Sequence, residues 1–561
     1  MKLKLTVFDE NNKKVYCLIV LRDLTYYPGE NARGKVEKIY CNGEYEFDLN
    51  NGVYEVAVYK GKMYQPFRER IKLYQKDLAL EIRLKKMIDS RAMRLYSFDA
   101  HSHVSRDAHL KTGDLVKASS IMKGEDYNFF FAGSPYDNDV HMQYLNGHFT
   151  DKVPYREKFA PVIEKVNDEN FILDIGNEII KCRYGHVFMM NYTQKPPFSK
   201  YYDHEFDPWL FTKVGEEPEY RIPYIYEAVL KERDDNSVAV LAHPTSWWWH
   251  DNGEFITNIG ATLGFEILAG SIDAMVIMGY RSDHKYYQEL WYEALNNGYF
   301  LPGVAENDAA YDIVPDNHLA YKTYTYIDEF SIDSLCRSVK QGRNIVSSGP
   351  IVTLKVNGEL PGTVLRYSPG QNFEIEIEAY RCYQALLSDI QIIINGEVYK
   401  EYNICRDTFK LRESISIDKD SFVIAKCYDF AGNTAITNPV YIRNKPFVNR
   451  GYLSDVSVTV TKDGKGAEGV YWLDDTDERI PFQTSIKLKM KVSSKLNIQV
   501  DGCVRTIRLF ELPELQRIFK NLYFGWFNKD KKYRPGEVPA HEFKLARIRE
   551  ILDHVEMCID F

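Results

Sequence analysis

The sequence predicts a multidomain protein of α/β plus β class: an α/β core flanked by β-sandwich segments, with a β/helical C-terminal extension. Three observations carry this. At 561 residues the chain is too long for one hydrophobic core. Its flanks alternate apolar and polar residues in short runs broken by turn signals. Its middle instead alternates short apolar runs with helix-patterned stretches.

Residues 1–88 hold runs such as "KLKLTVFD" and "NNGVYEVAVYKG", with Asn-Gly turns at 42–43 and 51–52 that fit hairpins, and predict an N-terminal β-sandwich. Residues 89–350 change character. "NFFFAG", "FILDIG", "VAVLAHP" and "YFLPGVAEND" read as buried strands, and "KYYQELWYEALNNG" sets Tyr287, Leu290, Trp291 and Leu295 on one helical face. Such alternation predicts a parallel sheet or barrel with its chemistry at the C-terminal strand ends. Residues 351–445 return to a β-sandwich pattern. Residues 446–561 begin as strands and turn helical in "LPELQRIFKNLYFGWF" and "HEFKLARIREILDHVEMC".

Composition narrows the function. Hydrophobic residues make up 45% and charged residues 27%, the balance of a globular protein, and no apolar run reaches membrane-spanning length. A net charge of −9 argues against nucleic acid or an anionic membrane as partner. The N-terminus lacks the apolar core of a signal peptide, and the nine cysteines include no CxxC pair. The expectation is a cytoplasmic protein with reduced thiols and a small-molecule substrate. Nothing in the sequence specifies an oligomeric state.

The chemistry is concentrated where strands end. "FDAHSHVSRDAH" gathers His101, His103 and His109 from a total of 13 histidines, with Asp99 and Asp107 among them. On an extended strand end, His101 and His103 share one face and can meet one ion. Glu178 follows the next apolar run, with His186 eight residues on. His243 follows "VAVLA", and Asp308 closes "VAEND". One histidine after a strand is commonly a hydrogen-bonded core residue; four such exits in order point to a metal site. A mixed histidine–carboxylate set suits Zn²⁺, Mn²⁺ or Fe²⁺. Asp99 reads as a carboxylate that orients a ligand imidazole.

Other features have plainer readings. Trp247, Trp248 and Trp249 could stack on a sugar or aromatic substrate, or pack between loops. Ser282 and Asp283 precede a helix and read as its N-cap, although "SDH" mimics a metal motif. Arg183, Arg281 and Lys322 are candidates for holding an anion, with solvated surface charge as the alternative.

The ordered set "HSH … E … GH … HP … D" resembles the PHP (polymerase and histidinol phosphatase) superfamily of metal-dependent hydrolases. "VKQGRNIVSSGPIVTLKVNGELPG" and the sandwich sequence after it are similar to the CehA/McbA-like branch. The resemblance covers roughly residues 30–445. It implies a distorted (β/α)7 barrel and two divalent ions. One would take His101, His103, Glu178 and Asp308, and the other Glu178, His186 and His243, with Glu178 shared. His109 and Asp107 would be the proton-shuttling candidates.

Two departures from that pattern bear on activity. No histidine stands in "NFFFAGSPYDND", where Asp137, Asp139 or His141 would have to substitute, and Ala309 and Ala310 follow Asp308. A third metal is therefore not expected. The resemblance implies hydrolysis of a phosphoester or other ester-like bond in a small molecule, which the tryptophan run allows to bear a sugar. The alternatives are a metal- and ligand-binding protein without turnover, and a structural or assembly protein.

Overall fold

The computed structural model describes residues 1–25, 35–104, 112–133, 155–179, 186–191, 225–249, 255–261, 264–279, 284–309, 320–448, 451–476, 478–515 and 545–561. The central segment runs β1 (Leu95–Asp99), α1 (Thr112–Gly124), β2 (Phe129–Gly133), α2 (Tyr155–Val166), β3 (Ile172–Ile179), β4 (His186–Met190), α3 (Ile225–Glu232) and β5 (Val238–Ala242). It continues through α4 (Phe265–Ala269), β6 (Ala274–Met278), α5 (His284–Asn296), β7 (Gly303–Ala305), β8 (Lys322–Tyr326), α6 (Ile332–Lys340) and β9 (Asn344–Ser347). A short hairpin, Thr245–Trp249 with Phe255–Ala261, separates β5 from α4. β2, β5 and β6 are buried along their whole length, which explains why they read as continuous apolar runs rather than alternating ones.

These strands form one sheet in the order β7-β6-β5-β4-β3-β2-β1-β8-β9. The β1–β2–β3 and β5–β6–β7 neighbours are parallel, but β4 runs antiparallel to both β3 and β5. The sheet curls on itself: Ala100 N–H donates to Ala305 O (3.2 Å), and His103 N–H to Ala309 O (2.7 Å). The result is a curled half-barrel, and the expected (β/α)7 barrel is not evident. The physical reason lies in the connection from β3 to β4. Residues 180–185 are too few for the crossover helix that a parallel strand requires, so β4 turns back.

The strand-rich flanks are sheets. Two of them, Glu44–Asp48/Lys2–Phe8/Leu78–Arg83 and Val36–Asn42/Tyr16–Asp23/Gly52–Tyr59/Phe67–Leu73, enclose Leu3, Leu5, Val7, Ile19 and Val56. Beyond β9, the central sheet continues into Thr434–Thr437, Ser421–Asp429, Leu387–Ile394 and Glu397–Arg406. A separate sheet of Ile351–Val356, Asn372–Tyr380 and Thr408–Ser416 shares its apolar core. The chain from 351 onward is thus hydrogen-bonded to the central sheet through β9.

Residues after 451 form an eight-stranded sheet packed on the central segment, with Phe510 edge-on to Phe265 at 4.2 Å. Leu545 N–H donates to the Glu293 carboxylate on α5 (2.7 Å). Among the described residues, the helical reading of "HEFKLARIREILDHVEMC" holds for Leu545–Asp553, whereas His554–Asp560 is a strand parallel to Leu453–Lys462. Pairing with an open sheet edge overrides local helix propensity there. "LPELQRIFKNLYFGWF" lies largely outside the described residues.

Tyr287, Leu290, Trp291 and Leu295 on α5 are all buried, and Trp291 Nε1–H donates to Leu301 O (2.7 Å). Trp291→Ala should cost about 3–5 kcal/mol in chemical denaturation, since it opens a cavity and frees a buried carbonyl. Lys322 is buried too; its ammonium is held by the Glu125 and Asp126 carbonyls and lies over the Tyr127 ring. Burial pushes its pKa down to about 8 from the usual 10.5. A lysine with a depressed folded pKa costs stability below that pKa, and the cost fades as pH climbs toward the unfolded value. Relative to Lys322→Met, the wild type should gain about 3 kcal/mol as pH rises across this window, read from paired denaturation curves.

Candidate metal centre

The site is built where β1, β3, β5 and β7 end and β4 begins. Past Asp99 the chain bends at Ala100 and His101 rather than staying extended, and His103 then bridges to Gly133 at the end of β2. Gly133 N–H donates to Ser102 O (2.8 Å), and a Cβ on Gly133 would lie 2.4 Å from that oxygen, so only glycine permits this approach. Asp308 N–H donates to His101 O (2.9 Å), tying the segment after β7 to the histidine pair. His243 (φ 22°) and Asp308 (φ 46°) occupy left-handed conformations that non-glycine residues seldom adopt. Strain of this kind persists where the surroundings enforce it, and here it falls on two residues that face the centre.

Glu178 lies at the middle of the cluster. Its Oε2 is 2.9 Å from His103 Nε2, and its Oε1 lies 3.0 Å from His186 Nδ1, 3.3 Å from His101 Nε2 and 3.4 Å from His243 Nε2. Asp308 Oδ1 is 3.6 Å from both His101 Nε2 and His103 Nε2. His101, His103, Glu178, His186 and His243 are all buried. All six metal-site residues expected from the sequence are therefore gathered in one cluster. His109 and Asp107, the proton-shuttling candidates, lie outside the described residues, as do Asp137, Asp139, His141, Arg183, Arg281, Ser282 and Asp283.

The donor chemistry fits divalent cations. His101, His103 and Glu178 form one group whose ligand atoms lie within 4.8 Å of one another, and Glu178, His186 and His243 form a second. Both Glu178 oxygens, both His186 nitrogens and His243 Nδ1 are buried without a hydrogen bond of acceptable geometry among the described residues. Buried polar atoms that face one another without bonding are expected where an ion belongs between them. Burial would raise the Glu178 carboxyl, but the His101 and His186 rings outweigh it and hold it well below the usual range. Burial opposes the His101 imidazolium, yet Glu178, Asp308 and Glu306 overcome it and raise that ring well above its ordinary value. His243 is raised against the same opposition by Glu306 and Glu178, whereas burial prevails at His186 and lowers it. The cluster thus favours positive charge at His101 and His243.

Glu306 is the residue that sequence reasoning missed. Fully buried, it takes His101 Nδ1 at 2.7 Å on one oxygen and accepts the His243 backbone N–H at 2.9 Å on the other. Because a carboxylate only accepts, Nδ1 keeps its proton and Nε2 faces Glu178. Gly279 makes room for it: a Cβ there would lie 2.6 Å from Glu306 Cγ. The sequence signal was the acid two residues before Asp308 in "AEND".

The orienting role expected of Asp99 falls to Glu306. Asp99 instead fixes backbone, accepting from His101 N–H (3.1 Å), Asn307 N–H (3.1 Å), Asn307 Nδ2 (2.7 Å) and the Ser102 hydroxyl. Burial lifts its carboxyl to about 6 against the bonds from Ser102 and Asn307. Lys322, expected to hold an anion or lie in solvent, is the buried cation described above.

No protein-family model matches the chain, and no curated protein matches it. Among solved structures, it is similar to a two-domain protein from Bacteroides vulgatus that contains a predicted PHP-like metal-dependent phosphoesterase. That match has 10% identity and a TM-score of 0.32, over 62% of this chain and 95% of that one. A second match is BcpA, the major pilin subunit of Bacillus cereus, at 7% identity and TM-score 0.23 over 100% and 98% of the two chains. A third is β-glucuronidase 3 of Bacteroides uniformis, at 10% identity and TM-score 0.18 over 90% and 76%. Overlaps this shallow carry no argument about fold or activity.

Glu306→Gln keeps the shape but offers His101 an amide in place of a carboxylate. Competition with a chromophoric chelator should show Zn²⁺ or Mn²⁺ binding about 10–100-fold weaker than in the wild type.

Proposed function

We propose that the protein is a metal-dependent hydrolase of the PHP type. The observation that carries this reading is the shared, buried Glu178, faced by four imidazoles and flanked by Asp308, with its oxygens lacking a well-formed hydrogen bond among the described residues. His101, His103, Glu178 and Asp308 would hold one divalent ion, and Glu178, His186 and His243 a second. Bound there, such ions would supply Lewis acidity and make water a competent nucleophile near neutral pH. The chain's own residues do the rest. Glu306 fixes His101 and the backbone of His243, and Asp99 holds the His101 and Asn307 backbone in place. His109 and Asp107 are proposed to move protons between the site and solvent, and the proposed substrate class is a phosphoester or other ester-like bond of a small molecule, with or without a sugar, in the cytoplasm.

A second reading, binding without turnover, is favoured by two departures from the motif order: the second-motif histidine is absent from "NFFFAGSPYDND", and Ala309 and Ala310 follow Asp308.

Metal content per chain, measured by inductively coupled plasma mass spectrometry on untagged protein beside a His101→Ala/His103→Ala variant, is the first test. Close to two ions, lost in the variant, together with Mn²⁺- or Zn²⁺-stimulated hydrolysis of bis(p-nitrophenyl) phosphate or p-nitrophenyl esters, supports the hydrolase. Full metal loading with no turnover on any ester supports the binding protein. Failure to take up metal after reconstitution overturns both.

A further inference from the structure

Away from the metal centre, the N-terminal sheets hold a pair of thiols with no assigned role. Cys17 on the strand Tyr16–Asp23 is in direct register with Cys41 on Val36–Asn42. Residues directly opposite in an antiparallel pair have Cα atoms about 4.5–5.5 Å apart and side chains on the same face. That separation falls inside the window of about 4.4–6.8 Å that a disulfide needs. No other cysteine among the described strands stands opposite a second one.

The two thiols are not equivalent. Cys17 is fully buried in the sandwich core, whereas Cys41 is half-buried and open to a reagent. A hydrogen bond from Cys17, joined by the backbone N–H groups of Gly43 and Glu44, outweighs burial and holds the Cys41 thiol below its usual range. The same bond and burial push Cys17 up. Nucleophilic thiols combine access with a stabilised thiolate, and Cys41 has both. By contrast, burial raises Cys382 and Cys427.

We infer that Cys17 and Cys41 form a reversible dithiol–disulfide site in which Cys41 attacks and Cys17 resolves. The co-reactant is a small-molecule disulfide. The Cys41 thiolate attacks one of its sulfurs, forming a mixed disulfide and expelling one thiolate, which takes up a proton. Cys17 then loses its proton to solvent and attacks the Cys41 sulfur, forming the cross-strand bond and expelling the second thiolate. Two protein thiols are oxidised, and one external disulfide is reduced to two thiols.

The test is incubation of the full chain with oxidised glutathione, followed by non-reducing peptide mapping. The expected product is a peptide pair joining Cys17 to Cys41 with two hydrogens lost, reversed by dithiothreitol, in a protein that melts at a higher temperature. Cys17→Ser should accumulate glutathione on Cys41 at least about tenfold faster than Cys41→Ser accumulates it on Cys17. Glutathione on exposed Cys405, Cys503 or Cys558 without a Cys17–Cys41 link would overturn the proposal, as would linkage of either residue to a different cysteine. Because the link is read in the wild type, the test stands even if a serine variant folds poorly.

Discussion

A buried carboxylate surrounded by buried imidazoles is the constraint around which this molecule is arranged. Glu178 is cut off from water, and so are Glu306 and Asp99, with Asp308 little exposed. Removing an ionised carboxylate from water without compensation costs many kcal/mol, so the group neutralises or finds a cation. The cluster meets that demand with imidazoles: the carboxylates raise His101 and His243, and the histidines depress Glu178. A protein with no use for positive charge at this point would be more stable with apolar residues of similar volume in their place. The concentration of negative charge is thus a cost that binding a cation offsets.

Holding such a cluster requires a frame that cannot relax, and here the frame is backbone rather than side chain. The segment after β7 lies across the segment after β1 through the bonds at Ala100, His103 and Asp308. Gly133 lets β2 close against Ser102, and Gly279 lets the Glu306 side chain lie between strands. Glu306 joins the two halves of the sheet by taking His101 with one oxygen and the His243 backbone with the other. The reversal of β4 belongs to the same design, because it carries His186 back to the end of the sheet where Glu178 emerges.

Much of this was legible before any coordinates because ligand chemistry and strand ends leave local marks. "HSH" after an apolar run and "HP" after another are such marks, and the residues they flag lie within a few ångströms of Glu178. Glu306 left only a faint one, the acid two residues before Asp308 in "AEND", because its role comes from a partner 205 positions away in sequence. The sequence assigns Asp99 to a ligand imidazole, whereas it holds the His101 and Asn307 backbone and the Ser102 hydroxyl instead, a choice of partner that no sequence pattern encodes. The sheet's departure from regular β/α alternation was available in the shortness of residues 180–185, a signal that the strong resemblance in motif order outweighed. The strand His554–Asp560 was hidden for another reason: its apolar spacing satisfies a helix, and only the vacant edge of Leu453–Lys462 decides otherwise.

The division of labour that follows is physical. Each of the six clustered residues sits on a strand end or within a few residues of one, in contacts that the sheet itself enforces. Connections in the same region, residues 105–111, 134–154, 250–254 and 310–319, carry five further histidines, His109, His141, His148, His250 and His318. Binding residues concentrate on connections held by a rigid scaffold, because a connection can change without disturbing the core. A change at Gly133, Gly279 or Glu306, by contrast, would disturb the packing and the charge balance at the centre.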